Sequence, residues 1–174
     1  MKLSDNIVVL SGQSITLITG ATSGIGFEML DYLAKDNHNI LFTARNETRA
    51  EKIVKDLILL YPSLRISYAL CDLSDQIEII KLTNYISSKS IKIKNLVNNA
   101  GIFPLKNQIS KQGIELSFAV NHIAPFLIST QLHKNSSFEE HPLILNINSS
   151  AHYRGKGNLE NYDPAQIYKL SKID

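Results

Sequence analysis

Short apolar runs alternate with longer segments of helical periodicity along the sequence, and this alternation constrains the fold more than any other feature. A parallel sheet covered by helices on both faces produces such a pattern, because its strands are buried and its crossover helices are amphipathic. The predicted strands cover residues 14–19, 39–44, 65–71, 95–98 and 143–148. The predicted helices cover residues 24–35, 47–61, 75–89 and 111–133.

The order of these elements predicts an α/β fold with a doubly wound parallel sheet of the Rossmann type. Right-handed crossovers between successive parallel strands would place them in the order 3-2-1-4-5. The sequence has 174 residues and no repeat or linker-like stretch divides it, so we expect a single domain over residues 1–174. A loop over residues 151–164 is expected to lead into a last helix.

The composition indicates a soluble globular protein, with 44% apolar and 20% charged residues. The formal net charge is +2 without a long run of either sign, which gives no reason to expect a nucleic-acid partner. The apolar run at residues 7–10 is shorter than the core of a signal peptide or a membrane-spanning helix. Cys71 is the only cysteine, so an intramolecular disulfide is excluded, and no metal-ligand cluster surrounds it in the sequence. We therefore expect a cytoplasmic protein with no membrane span and no bound metal.

A glycine-rich turn, Thr19-Gly-Ala-Thr-Ser-Gly-Ile-Gly26, follows the first predicted strand and opens the first predicted helix. Glycines in such a turn allow backbone amides to approach a pyrophosphate and let the helix pack closely on the strand. The N-terminus of the helix then faces the anion. The turn predicts a dinucleotide site, and a tight turn with only a structural role is the alternative. The residues expected to bind the cofactor here are Gly20, Thr22, Ser23, Gly24, Ile25 and Gly26.

Arg45 ends the second predicted strand, about twenty residues after the glycine turn. An acidic residue at this point would bind the ribose 2′-hydroxyl of NAD, whereas an arginine can pair with the 2′-phosphate of NADP. The sequence therefore favours NADP over NAD, with a solvated loop arginine as the alternative. Asp72, after the third strand, could accept a hydrogen bond from the adenine amino group or could equally cap the helix expected near Ser74.

Tyr168 and Lys172 are four residues apart and would project from the same face of a helix. A phenol with an ordinary pKa of about 10 is a poor acid or base at neutral pH, and a nearby ammonium lowers that pKa. Ser150, after the fifth strand, can donate a hydrogen bond to a carbonyl or to the alkoxide that develops from it. Ser149 could do the same from the other face of the strand, and strand periodicity alone does not choose between them.

The motifs occur in a defined order that extends to Asn98-Asn99-Ala100-Gly101 after the fourth strand and Asn121 within a long helix. With the glycine turn, the serines and the Tyr168 and Lys172 pair, they resemble the short-chain dehydrogenase/reductase family. The resemblance covers the chain from Ser11 onward. The segments 113–122 and 149–152 are most similar to the retinol-dehydrogenase-like branch, which converts lipophilic carbonyls and alcohols.

The resemblance implies a role for each catalytic candidate. Tyr168 would be the general acid/base, Lys172 its electrostatic partner that also binds the nicotinamide ribose, Ser150 the group that orients the substrate, and Asn121 the fourth member. Ser150 is preferred to Ser149 because it immediately precedes the Ala-His turn. Further cofactor contacts are implied for Leu73, Asn99, Tyr168 and Lys172. The implied function is an NADP-dependent interconversion of a carbonyl compound and an alcohol.

Pro125 lies four residues after Asn121 and lacks the N–H that would bond the Asn121 carbonyl in a regular helix. That carbonyl would then be free to hold a water of the family's proton relay. A simple helix kink is the alternative.

The chain stops two residues after Lys172, whereas family members continue with two more strands and a substrate-covering segment. We therefore expect a sheet that is incomplete at its C-terminal edge, an exposed apolar fifth strand and a compromised homo-oligomer interface. Two functional interpretations follow. The chain is a piece of an oxidoreductase that acts on a small-molecule carbonyl or alcohol, or it is a non-catalytic protein that binds a nucleotide or a partner.

Overall fold

The computed structural model describes residues 14–150, which form a five-stranded parallel sheet flanked by helices. In chain order the elements are β1 (Ser14–Ile18), α1 (Gly24–Lys35), β2 (Ile40–Ala44), α2 (Glu47–Leu60), β3 (Ile66–Leu70), α3 (Gln76–Ser88), β4 (Lys92–Asn98), α4 (Leu116–Phe118), a π-helical turn (Ala119–Ile123), α5 (Ala124–Lys134) and β5 (Phe138–Asn146). The strand order is β3-β2-β1-β4-β5, which confirms the predicted doubly wound topology.

Two apolar clusters lie on opposite faces of the sheet. Successive residues of β1 alternate between them, so that Ile15 and Leu17 belong to one cluster and Ile18 to the other. The first cluster includes buried residues of α3 and α5, and the second includes those of α1 and α2. Helices thus cover both faces, and the carboxyl ends of the strands meet at one edge where ligands bind in such folds.

The fourth predicted helix begins later than expected and is not regular. Residues 111–115 were predicted to be helical, but Gly113 adopts a positive φ of 79° within a turn and Glu115 caps α4 by accepting from the Phe118 amide at 2.7 Å. The helical path then passes through the π-helical turn before α5. Glycine in a left-handed conformation ends the turn and lets the helix start only at Leu116.

The fifth strand begins at Phe138 rather than at the predicted residue 143. Phe138 pairs with Ile93, and the register then shifts before Leu143 pairs with Asn95. Pro142 is tolerated there because β5 is an edge strand of the described sheet. The apolar residues Leu143, Ile144 and Leu145 are between 41% and 59% exposed.

The predicted loop over residues 151–164 and the last helix lie outside the described residues. Within residues 14–150, no helix combines the length and apolar character that a membrane span requires.

Candidate functional site

A cleft of about 310 Å³ lies at the carboxyl ends of β1 to β4. Nine of the residues that the sequence predicts as cofactor contacts line it together: Gly20, Thr22, Ser23, Ile25, Gly26, Arg45, Asp72, Leu73 and Asn99. Gly24 lies on the same turn, at a positive φ of 55°, but does not line the cleft. Tyr168 and Lys172, which were also predicted to contact the cofactor, lie outside the described residues.

Two glycines of the turn leave no room for a side chain. A Cβ on Gly20 would lie 2.6 Å from the Ala100 Cα, and Gly20 has a positive φ of 67°. A Cβ on Gly26 would lie 2.5 Å from the Gly20 carbonyl oxygen and would also collide with the Asn99 amide. Gly20 needs glycine because the turn approaches the backbone of the loop after β4, and Gly26 needs it because the start of α1 packs on the backbone of the turn itself.

Thr19 and Asn99 hold the glycine turn against the loop that follows β4. The Thr19 Oγ1 atom accepts from the backbone amides of Asn99 and Ala100, each at 3.1 Å. In return, the Asn99 Nδ2 atom donates to the carbonyls of Thr19 at 3.1 Å and Gly20 at 3.0 Å. These bonds set the width of the cleft between the two loops.

The N-terminus of α1 opens onto the cleft without a capping group. Ser23 is the N-cap residue but makes no side-chain capping bond, and no acidic residue lies in the first turn. The first amides of a helix carry a partial positive charge and need acceptors. This helix end is therefore suited to a phosphate group.

The rim of the cleft beyond β2 carries a positive charge. Arg45 is exposed there next to Thr43 and Ala44, and within residues 14–150 it makes no ion pair. The following residue, Asn46, caps α2 by accepting from the Arg49 amide at 2.8 Å. The Arg45 guanidinium is thus available to an anionic ligand.

Asp72 does not cap a helix, so that alternative for its role is wrong. The α3 helix begins at Gln76, and its N-cap is Asp75, which accepts from the Ile77 amide at 3.0 Å. The Asp72 Oδ1 atom instead accepts from the backbone and hydroxyl of Ser74, at 3.0 and 2.8 Å. Its Oδ2 atom has no hydrogen-bond partner among the described residues and is left for a donor in the cleft.

Cys71 also lines the cleft, next to Asp72, but it is not a reactive group. Burial, reinforced by the carboxylates of Glu78 and Asp72, raises the pKa of its thiol to about 12. A thiol with that pKa remains protonated and behaves as a small apolar side chain. Within residues 14–150, no cluster of histidine, cysteine and acidic side chains could hold a metal ion.

Asn121 lies in the π-helical turn, and its side chain makes two hydrogen bonds to the backbone of Ile102. Its Oδ1 accepts from the Ile102 amide at 2.8 Å, and its Nδ2 donates to the Ile102 carbonyl at 2.9 Å. The wider turn is visible in the bond from the Ala124 amide to the Ala119 carbonyl, five residues back. Pro125 follows at once and has no N–H to give to the Asn121 carbonyl. The Asn121 side chain thus joins the helical segment to the loop after β4, and Pro125 offers no N–H to the Asn121 backbone carbonyl.

A second, wider cleft of about 840 Å³ lies beside the first, between α5 and the ends of β4 and β5. Its lining is largely apolar and includes Phe103, Pro125, Phe126, Ile144 and Ile147. Asn121 and Ser149 also line it, whereas Ser150 is exposed at the end of the described residues and does not line it.

Several residues that build the site were not predicted as contacts from the sequence. Thr43, Ala100 to Ile102 and Val120 line the first cleft, and the Thr19 hydroxyl joins its two loops. A threonine directly before the first glycine was a usable signal for Thr19, because a buried hydroxyl at a strand end must bond nearby backbone. Nothing in the sequence indicated Val120, which reaches the cleft through the irregular helix.

A family model described as short chain dehydrogenase matches residues 14–165 of the chain. Among curated proteins, the (-)-isopiperitenone reductase of Mentha piperita is 35% identical over 94 residues, which are 52% of this chain and 29% of that protein. The polyprenol dehydrogenase of Homo sapiens is 25% identical over 88 residues, which are 51% of this chain and 27% of that protein. The matched segments thus span less than a third of these relatives.

Solved structures show the same fold. A short-chain dehydrogenase from Sphingobium yanoikuyae in complex with NADPH superposes with a TM-score of 0.67 at 21% identity. The superposition covers 91% of this chain and 60% of that chain.

Proposed function

This chain belongs to the short-chain dehydrogenase family, and from that premise we propose that it is an NADP-dependent oxidoreductase that interconverts a lipophilic carbonyl compound and the corresponding alcohol. One observation carries the proposal. The glycine turn, the free N-terminus of α1, Arg45 and Asp72 converge on one cleft whose glycines exclude side chains. The matched part covers under a third of the curated relatives, so the activity is proposed from this site and from family membership together.

The residues of the first cleft fit a nicotinamide dinucleotide. Backbone amides at the start of α1 would hold the pyrophosphate, and the Asp72 Oδ2 atom would accept from the adenine amino group. Arg45 would pair with a 2′-phosphate, which favours NADP over NAD. When bound, the cofactor would donate or accept the hydride.

We assign the proton transfer to Tyr168 and its electrostatic partner Lys172, both outside the described residues. Lys172 would hold the phenol pKa low enough for acid/base work near neutral pH. Ser150 remains the proposed donor to the substrate oxygen, and Ser149, which lines the second cleft, is its competitor. The backbone carbonyl of Asn121 would hold a water that connects Lys172 to solvent.

The second cleft supports a lipophilic substrate. Phe103 and Phe126 are 74% and 62% exposed and both line it, so an apolar substrate would cover aromatic surface that is otherwise in water. A retinol-dehydrogenase-like specificity is proposed on this basis, in line with the similarity to polyprenol dehydrogenase. The cytoplasmic location is likewise proposed, because the single, buried Cys71 is a free thiol.

Consumption of NADPH by the full chain with a panel of apolar aldehydes tests the proposal. Turnover should fall by about 10² to 10⁴ in Tyr168→Phe, because that is what a general acid contributes. Ser150→Ala and Ser149→Ala, compared side by side, identify the serine that contacts the substrate. NADPH binding without consumption would instead favour a non-catalytic, nucleotide-binding protein, and an absence of both would refute the proposed function.

A further inference from the structure

A short turn before α4 reaches across to the start of α3. In this 108–116 turn, the Leu116 amide donates to the Gln108 carbonyl at 2.8 Å and the Ser110 amide to the Ile114 carbonyl at 2.7 Å. The turn is therefore closed at its base by its own backbone bonds. Lys111 and Gln112 lie at its tip.

Both tip residues bind one buried carboxylate, that of Asp75. The Lys111 Nζ atom lies 2.9 Å from Asp75 Oδ2, and the Gln112 Nε2 atom lies 2.9 Å from Asp75 Oδ1. The Asp75 side chain is only 8% exposed, whereas that of Lys111 is 67% exposed. The bond from Lys111, with those from Gln112 and the Ile77 amide, holds the pKa of Asp75 below its ordinary value. The carboxylate is thus charged and fully engaged.

The contact connects the two walls of the first cleft. On one side, the Asp75 amide donates to the Asp72 carbonyl at 2.9 Å, and Asp72 and Leu73 line the cleft. On the other side, the turn leads through the buried cap residue Glu115 to the helical segment that carries Val120, which also lines the cleft. Leu73 and Val120 pack in the same apolar cluster.

We propose that the contact of Asp75 with Lys111 and Gln112 is a positioning clamp that joins these two walls and increases the affinity of the cleft for its dinucleotide. The clamp holds Asp72 and Leu73 in the conformation that meets the adenine, so that less ordering is left for the moment of binding. This inference rests on the proposed function for the identity of the ligand. Asp75, Lys111 and Gln112 are positioning residues and contact no reacting atom.

Titration of the full chain with NADPH tests the clamp. Lys111→Met should raise the dissociation constant roughly two- to fivefold, the range of one partly exposed ion pair, without changing turnover at saturating NADPH. Lys111→Arg should restore the affinity. Lys35→Met is the matched control, because Lys35 pairs with Asp31 at 2.7 Å within α1 at the end far from the glycine turn. Equal dissociation constants for Lys111→Met and Lys35→Met would overturn the clamp.

A double-mutant comparison isolates the ion pair. Asp75→Asn keeps a side chain that can cap α3, so it removes the charge without removing the cap. If the loss of NADPH affinity comes from breaking this pair, the double variant Asp75→Asn with Lys111→Met binds NADPH no more weakly than the single variant with the lower affinity. Fully additive losses would overturn the pairing.

Hydrogen exchange in the cofactor-free protein provides a readout that does not depend on binding. The Asp72 amide donates to Glu78 Oε2 at 2.7 Å and the Ser74 amide to Asp72 Oδ1 at 3.0 Å, so both should be protected. Lys111→Met should speed their exchange, and unchanged exchange would overturn the clamp. A wild-type chain that bound no NADPH would contradict the proposed function, whereas the exchange comparison would still support or overturn the clamp.

Discussion

Replacing Thr19 by valine removes a single hydroxyl that joins the two loops of the nucleotide cleft. Thr19 follows the end of β1 and is 2% exposed, and valine has nearly the same shape without the hydroxyl. The hydroxyl accepts from the amides of Asn99 and Ala100. The Asn99 amide keeps a second acceptor, the Val97 carbonyl at 3.1 Å, whereas the Ala100 amide has no other partner among the described residues.

The expected loss of stability follows from this difference. One partly buried N–H without an acceptor costs about 1–3 kcal/mol, and we expect Thr19→Val to lower the free energy of unfolding by about that amount. Thr16→Val is the matched control, because Thr16 lies on β1 just before Thr19, is 3% exposed and accepts one bond at 3.0 Å, from the Asn95 side chain. The Asn95 side chain can turn towards water, so Thr16→Val should lower the free energy of unfolding by less than Thr19→Val does.

Urea unfolding of the two variants, compared at equal slope, measures the difference in unfolding free energy. NADPH titration of the same samples measures the affinity of the cleft for the cofactor. This affinity should be lower in Thr19→Val and unchanged in Thr16→Val. Equal urea midpoints, or equal NADPH affinities, would refute the claim that the Thr19 hydroxyl holds the cleft together.

Three further predictions concern the cleft and its support. Gly26→Ala should lose about 1–3 kcal/mol of stability and nearly all NADPH binding, because its Cβ meets backbone atoms. Gly101→Ala is the control and should keep its stability, because its Cβ has only an ordinary contact at 3.7 Å. Similar urea midpoints for the two variants would contradict this. Arg45→Ala should weaken NADPH binding about tenfold in calorimetry and leave NADH binding unchanged, and an equal loss for both cofactors would remove Arg45 from the phosphate site. Because Lys111 lowers the pKa of Asp75 in the folded state, Asp75 stabilises the protein above its unfolded pKa of about 3.9, and that stability is lost as the pH falls through the lower, folded value. The difference in urea midpoint between wild type and Asp75→Asn should therefore be constant near neutral pH and shrink below about pH 4; a difference that stays constant to pH 3 would contradict the linkage.

The fold was predictable because its signal is repeated along the chain. Each buried strand is a short apolar run, and the crossover rule then fixes the strand order. The errors lie where local chemistry differs from that pattern. The apolar run predicts that β5 starts at residue 143, whereas the strand begins at Phe138, because an edge strand also tolerates the charged residues and the proline before that run.

The candidate site was predictable where a local sequence motif carries the signal. Gly20 and Gly26 could be identified because a strand-turn-helix sequence requires them. The contacts of Asp75 could not, because Lys111 approaches it from a turn 36 residues away. The sequence also left the role of Asp72 open, since a capping aspartate and one that faces a ligand look alike until the helix start is known.

The central claim is that the cleft beside the glycine turn binds a nicotinamide dinucleotide with a preference for NADP. Fluorescence titration of the full chain with NADPH and with NADH, with Gly26→Ala as the variant that disrupts the glycine turn, tests this claim most directly. We predict saturable binding of one NADPH per chain, weaker binding of NADH, and loss of both in the variant. Absence of NADPH binding to the folded wild-type protein, or equal binding to Gly26→Ala, would contradict it.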